Sequence, residues 1–252
     1  MGRHTIIGAE GESSGNDSYA GRPNIAFAGL TAAGKTTHAR LLAEALDYKY
    51  VSATKILLEV IGMNDPDQEN VWFDNLDSIQ KRRTSDEIDD ELERRLLEIA
   101  IGSDGLVLDT WAMPWICKAP MIRLWLESDR LSRTWKCFVS QGANPSHGLV
   151  ECSRLIDRKD LSTRSIFLRR HKFDLLTSRG IFDVVLENTW LIEEPTRAST
   201  DRGIAQFHPV VLSAVRSLLA GDQGLLSREM ANWSQQQREC LRRTSRRRSE
   251  AA

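Results

Sequence analysis

The chain lacks any apolar run approaching the roughly 18 residues that a membrane-spanning helix needs, so no membrane partner is expected. It lacks an excess of either charge. Lys and Arg number 34 against 35 Asp and Glu, a net charge of −1, and a nucleic-acid partner is not expected without a basic balance. Cysteine is scarce: the four residues are Cys117, Cys137, Cys152 and Cys240, none in a C-x-x-C pair and none beside histidines at metal-ligand spacing. They read as reduced thiols in a cytoplasmic protein. The first residues carry no apolar core of a secretion signal, so export is not expected. No internal repeat is present.

What remains is a 252-residue chain, 41% hydrophobic and 27% charged, enough for one large α/β domain with a sizeable core. Residues 1–22 are rich in Gly, Ser, Glu and Asp without apolar periodicity, and read as a disordered leader. Residues 23–222 form the domain, and 223–252 a C-terminal helix and a basic tail. From Arg238 onward that tail holds Arg242, Arg243, Arg246, Arg247 and Arg248, and reads as a solvated face.

Short apolar runs alternate with helical periodicity. Strands are expected at 24–28, 48–52, 105–108, 121–126 and 182–186. Helices are expected at 36–46, 54–61, 85–100, 129–140, 149–157, 162–178 and 204–220. Ile88, Leu92, Leu96 and Ile99 give the clearest amphipathic stripe. Such alternation implies parallel βαβ units with helices on both faces of the sheet. Ligands then bind at the carboxyl ends of the strands.

The first strand runs straight into Gly29-Leu-Thr-Ala-Ala-Gly34-Lys35-Thr36, a full match to G-x-x-x-x-G-K-[ST]. Its glycines let the backbone curl around a phosphate, and the following helix adds its positive end. The pattern assigns Gly29, Leu30, Thr31, Ala32, Ala33, Gly34, Lys35, Thr36 and Thr37 to the phosphates of ATP. Lys35 would reach the β and γ phosphates, and the Thr36 hydroxyl would ligate Mg²⁺. The expected fold is therefore the P-loop three-layer α/β/α architecture, with a mostly parallel five-stranded sheet and small acceptor-binding and lid insertions.

Leu106-Val-Leu-Asp109 is a second apolar strand ending in a carboxylate. Asp109 can hold Mg²⁺ through water, accept a proton from an acceptor hydroxyl, or cap the following loop. Arg130, Arg133 and Lys136 share one helix, followed by Arg158, Arg164, Arg169 and Arg170. Phosphoryl transfer spreads negative charge that arginines on a lid can neutralise. Trp111 and Trp115 either wall an acceptor pocket or belong to the core. His38 faces out of its helix or packs beside the loop.

The order of these elements resembles the cytidylate kinase-like branch of nucleoside monophosphate kinases over roughly residues 24–192. The residues carrying the resemblance are Ile25 to Thr37 with Ala39 to Leu46, Tyr48 to Ala53, Asp89 in Glu87-Ile-Asp-Asp90, Phe173-Asp174, and Phe182 to Thr189. It implies Arg130, Arg133, Arg158 and Arg164 as lid or acceptor-site arginines, and a nucleotide base near 188–192. The family usually has an arginine in the helix after its second strand, and Gly-Arg after its third. Here those places hold Ile56, Leu57 and Leu58, and Thr110-Trp111. Lys55 is a possible substitute.

The expected activity is transfer of the ATP γ-phosphoryl group to a nucleoside monophosphate resembling CMP or dCMP, by a monomer. The site comprises Lys35, Asp109, Arg133, Arg158 and Arg164 as catalytic residues, Arg130 with the loop on ATP, and Thr36 with Asp109 on Mg²⁺. One alternative is a kinase acting on a hydroxyl of a nucleoside or specialised metabolite. Another is a nucleotide-binding regulator with slow hydrolysis.

Overall fold

The computed structural model describes residues 21–63, 71–83 and 86–242. The expected leader at 1–20 and the arginines from 243 onward lie outside them.

The strands are β1 (Asn24–Gly29), β2 (Lys49–Ser52), β3 (Leu106–Asp109), β4 (Met121–Glu127), β5 (Val184–Glu187) and β6 (Leu241–Arg242). They lie in the order β2-β3-β1-β4-β5-β6. The first five are parallel, and β6 runs antiparallel to β5. All six residues of β1 are buried, as expected for a central strand covered on both faces. From β1 the chain passes to the outer strand β2, returns to β3 beside β1, and then crosses to β4 on the other side of β1. The carboxyl end of β1 is therefore the switch point of the sheet, where a crevice opens.

Alternation along β1 divides the core. Ile25 and Phe27 face α1 (Lys35–Leu46) and α8 (Arg197–Ala220), meeting Ala39, Leu42, Phe207 and Val211. Ala26 faces α2 (Ala53–Val60) and α4 (Asp86–Gly102), with Ile56, Leu58, Leu92 and Leu96. Helix α4 opens with Asp86, Glu87 and Asp89, which suit its positive end. Helix α3 (Val71–Arg82) and the short α5 (Met113–Ile116) have no counterpart among the expected elements. Although α8 is long and apolar enough to cross a membrane by composition, its Phe207, Val210, Val211 and Val215 pack within the core.

Three expectations need correction. The helices expected at 149–157 and 162–178 are one helix, α7 (Leu149–His171), packed beside α6 (Arg130–Val139). It ends where Lys172 turns left-handed, with φ 59°, so 172–178 is not helical. The last parallel strand starts at Val184 rather than 182, because the Asp183 carboxylate takes the Arg123 backbone N–H at 2.7 Å. Finally, residues 238–242 are not a solvated tail. After α9 (Gln223–Met230) and α10 (Gln235–Glu239), Cys240 is fully buried beside Trp233, and its carbonyl accepts the Glu187 N–H at 2.8 Å.

Candidate active site

The loop between β1 and α1 is shaped by two glycines. Gly29 adopts φ 151°, and a Cβ there would lie 2.6 Å from the Leu126 carbonyl oxygen on β4. Gly34 adopts φ 97° and enters α1, a conformation that disfavours side chains. Between them Ala32 takes φ 60° without that freedom, a strain of about 1 kcal/mol or more. Helix α1 has neither a side-chain cap nor an acidic residue in its first turn. Its leading N–H groups are thus left for an anion.

Lys35 folds along the loop, donating to the carbonyls of Gly29 at 2.7 Å and Leu30 at 2.8 Å. Its ammonium lies 4.7 Å from the centre of the Trp111 ring. Burial pushes its pKa down to about 8, against the opposing pull of Asp109 and Asp160.

Asp109 ends β3 opposite Phe27 of β1. This register brings its Oδ2 to the start of α1, where it accepts from the Thr36 hydroxyl at 2.6 Å. The Tyr50 hydroxyl on β2 donates to the same oxygen at 3.1 Å. Burial, and then the Asp109 charge, push the Tyr50 phenol up to about 12. Tyr50 is a site residue that sequence reasoning missed; its signal was an aromatic on the strand next to the Asp109 strand. Among the described residues no group of three or more His, Cys, Asp or Glu can cage a metal. One carboxylate with one hydroxyl instead suits Mg²⁺, which keeps waters and shares substrate phosphates.

The far wall comes from α6 and α7. Arg133 donates from Nη1 to the Thr31 carbonyl at 3.1 Å and to Asp160 Oδ2 at 2.5 Å. Asp160 Oδ1 accepts the Thr31 backbone N–H at 2.9 Å. Next to it, burial lowers the pKa of Lys159 to about 7, with Lys35 and Arg83 adding to the shift and Asp160 and Asp109 opposing it. Lys136 donates to Ser128 at 2.9 Å and to Asn188 at 2.6 Å. Asn188 passes the connection on, donating to the Ala33 carbonyl at 3.0 Å. Asp160 and Lys159 were absent from the expected site, whereas Asn188 opens the 188–192 turn that the resemblance placed near a nucleotide base.

The other expected arginines are engaged elsewhere. Arg130 makes a forked pair with Asp157 at 2.5 to 3.0 Å. Arg158 lies 3.0 Å from Asp77 on α3, and Arg164 forks onto Asp174 at 2.6 and 2.9 Å. Of the four, Arg133 alone makes hydrogen bonds to the loop among those described. Trp115 is a core residue, stacked on Phe173 at 4.7 Å and set edge-on to Trp125 and Phe182. His38 is buried against Phe207, and burial lowers its pKa to about 3. Ile56, Leu57 and Leu58 are core residues, while Lys55 is exposed.

A profile of the cytidylate kinase-like family matches residues 24–189. No curated protein sequence matches the chain. Similar solved structures include an uncharacterised protein from Eubacterium ventriosum, 13% identical, covering 73% of this chain and 96% of that one, with TM-score 0.48. Shikimate kinase from Bacteroides thetaiotaomicron is 14% identical, covering 73% and 96%, with TM-score 0.46. A gluconokinase from Sinorhizobium meliloti is 13% identical, covering 84% and 95%, with TM-score 0.45.

Proposed function

We propose that the chain, which belongs to the cytidylate kinase-like family, transfers the γ-phosphoryl group of ATP to a nucleoside monophosphate resembling CMP or dCMP. The observation that carries this reading is the meeting of a glycine-shaped loop, with Lys35 and Thr36 at the start of α1, and Asp109 at the end of β3, whose Oδ2 accepts the Thr36 hydroxyl at 2.6 Å. The backbone N–H groups at the start of α1 would hold the phosphates. Lys35 would turn from its own loop carbonyls to the β and γ oxygens. Thr36 and Asp109 would hold Mg²⁺, which supplies charge neutralisation and orientation when bound.

A monophosphate acceptor is already ionised, so the protein has no proton to remove. Its contribution is placement and neutralisation, by Lys35, Lys159 and Arg133 around the cradle. Arg158 and Arg164 would join only by leaving Asp77 and Asp174, and Arg130 only by leaving Asp157.

A second reading, transfer to a hydroxyl, is favoured by one observation. The positions where the resemblance implies acceptor-phosphate cations hold the buried side chains Ile56, Leu57 and Leu58. In that case a base is needed, and Asp109 is the carboxylate at the strand end.

The test is ADP release from Mg-ATP with CMP, dCMP, UMP, cytidine or no acceptor. Stimulation by CMP or dCMP supports the first reading. Stimulation by cytidine alone moves the assignment to the second. No stimulation by any of them overturns both for this set of acceptors.

A further inference from the structure

Arg133 and Asp160 form an ion pair inside the protein, with side chains only 7% and 11% exposed. Both partners also grip the same residue of the phosphate loop. Asp160 accepts the Thr31 N–H, and Arg133 donates to the Thr31 carbonyl. Two polar atoms of this group have no partner among the described residues: Arg133 Nε and the Thr31 hydroxyl oxygen. A buried N–H donor and a buried hydroxyl within the group that grips the phosphate loop are donors that an oxyanion would satisfy. The charges facing one another here are Lys35, Lys159, Arg133 and Arg83 against Asp109 and Asp160.

We propose that Asp160 is a positioning residue that sets nucleotide affinity: it aims Arg133 and Thr31 at the cradle while its negative charge limits the grip on the terminal phosphates. The inference rests on the kinase reading above and concerns its nucleotide half. Charge within a few ångströms of a bound polyphosphate is weakly screened by salt when it is buried. A carboxylate there opposes the γ-phosphate directly and also cancels the nearest arginine. Such restraint favours departure of the product nucleotide, a step that often limits turnover.

The test uses the full chain. Asp160→Asn keeps an oxygen to accept the Thr31 N–H but removes the charge. Calorimetric titration with Mg-ATP is expected to give a Kd lower by about tenfold, and with AMP by no more than about twofold, because AMP lacks the terminal phosphates. An unchanged or higher Kd for ATP, or equal shifts for ATP and AMP, overturns the proposal. If Asp160→Asn does not fold because Arg133 is left as a buried lone cation, the double variant Arg133→Gln, Asp160→Asn removes both charges. Set against Arg133→Gln alone, which lacks the same arginine, it is expected to bind ATP about tenfold more tightly because the opposing carboxylate charge is gone; equal or weaker binding overturns the proposal. Failure of the unaltered chain to bind ATP overturns the kinase reading and this inference with it. ATP binding by the parent without tightening in Asp160→Asn overturns this inference alone.

Discussion

On the kinase reading proposed above, the nucleotide side and the acceptor side of the crevice are built in different ways. The nucleotide side is continuous in sequence: Gly29 to Thr36 shape the loop, hold Lys35 and place Thr36. On the proposed reading the acceptor side would be the face where α7 meets α3 and α4, which is tied by ion pairs. Arg158 meets Asp77, Arg169 meets Asp86, and Arg170 meets Asp90 and Glu93. Backbone geometry resists substitution around one function, whereas ion pairs between helices can be exchanged one at a time. On the proposed reading, the comparison makes phosphate binding a property of chain path and acceptor choice a property of helix docking.

Four substitutions separate the two sides. Lys35→Ala strikes the nucleotide side and is expected to lower kcat/KM by about a thousandfold or more, without loss of the thermal transition. Retained turnover would remove the cradle from the mechanism. Asp109→Asn, where the two sides meet, is expected to cost about a hundredfold in kcat. A larger loss with a hydroxyl acceptor than with a monophosphate would identify Asp109 as a base.

Arg170→Ala tests whether the acceptor side is structurally separate. It leaves the mostly buried Glu93 with one partner fewer, at a cost of about 1–3 kcal/mol by urea denaturation. The ATP Kd is expected to stay within about twofold, because the hydrogen bonds of Arg170 go to Asp86, Asp90 and Glu93 on α4 and those of Arg133 go to Thr31 and Asp160. A large ATP effect would show that the two sides are coupled.

The smallest effect concerns pH. Burial lowers the pKa of Lys136 to about 7 from its usual 10.5. Between those values the unfolded chain binds a proton that the folded chain has released, so stability rises with pH through this window. Lys35 and Lys159, also lowered, act in the same direction. Lys136→Met is expected to flatten the rise in Tm between pH 7 and 9; an unaltered slope would exclude Lys136 as a contributor.

The same contrast explains what was legible. The cradle lies within one stretch, so its motif announces the loop and the central strand together. The link from Thr31 to Asp160 spans 129 residues, and no local pattern carries it. Helix α7 was legible only as two fragments because Lys159 and Asp160 interrupt its apolar face. Those polar residues point toward the crevice side of the fold rather than mark a break, so a functional demand imitates a helix end. Tyr50 was read as part of a weak strand because only the β2–β3 register brings its hydroxyl to Asp109. The two-residue β6 is too short for period-two alternation to register.

That short strand has a consequence for how copies of the protein meet. An outer strand offers a row of open backbone groups on which a neighbouring chain can template. Here β6 covers β5, where Val185 pairs with Arg242 and Leu186 with Leu241. The opposite border of the sheet is β2, four residues long and opened by the exposed Lys49, and short charged borders resist such growth. The C-terminal segment thus acts as a seam, closing by its own backbone the side of the sheet that β5 would otherwise leave sticky.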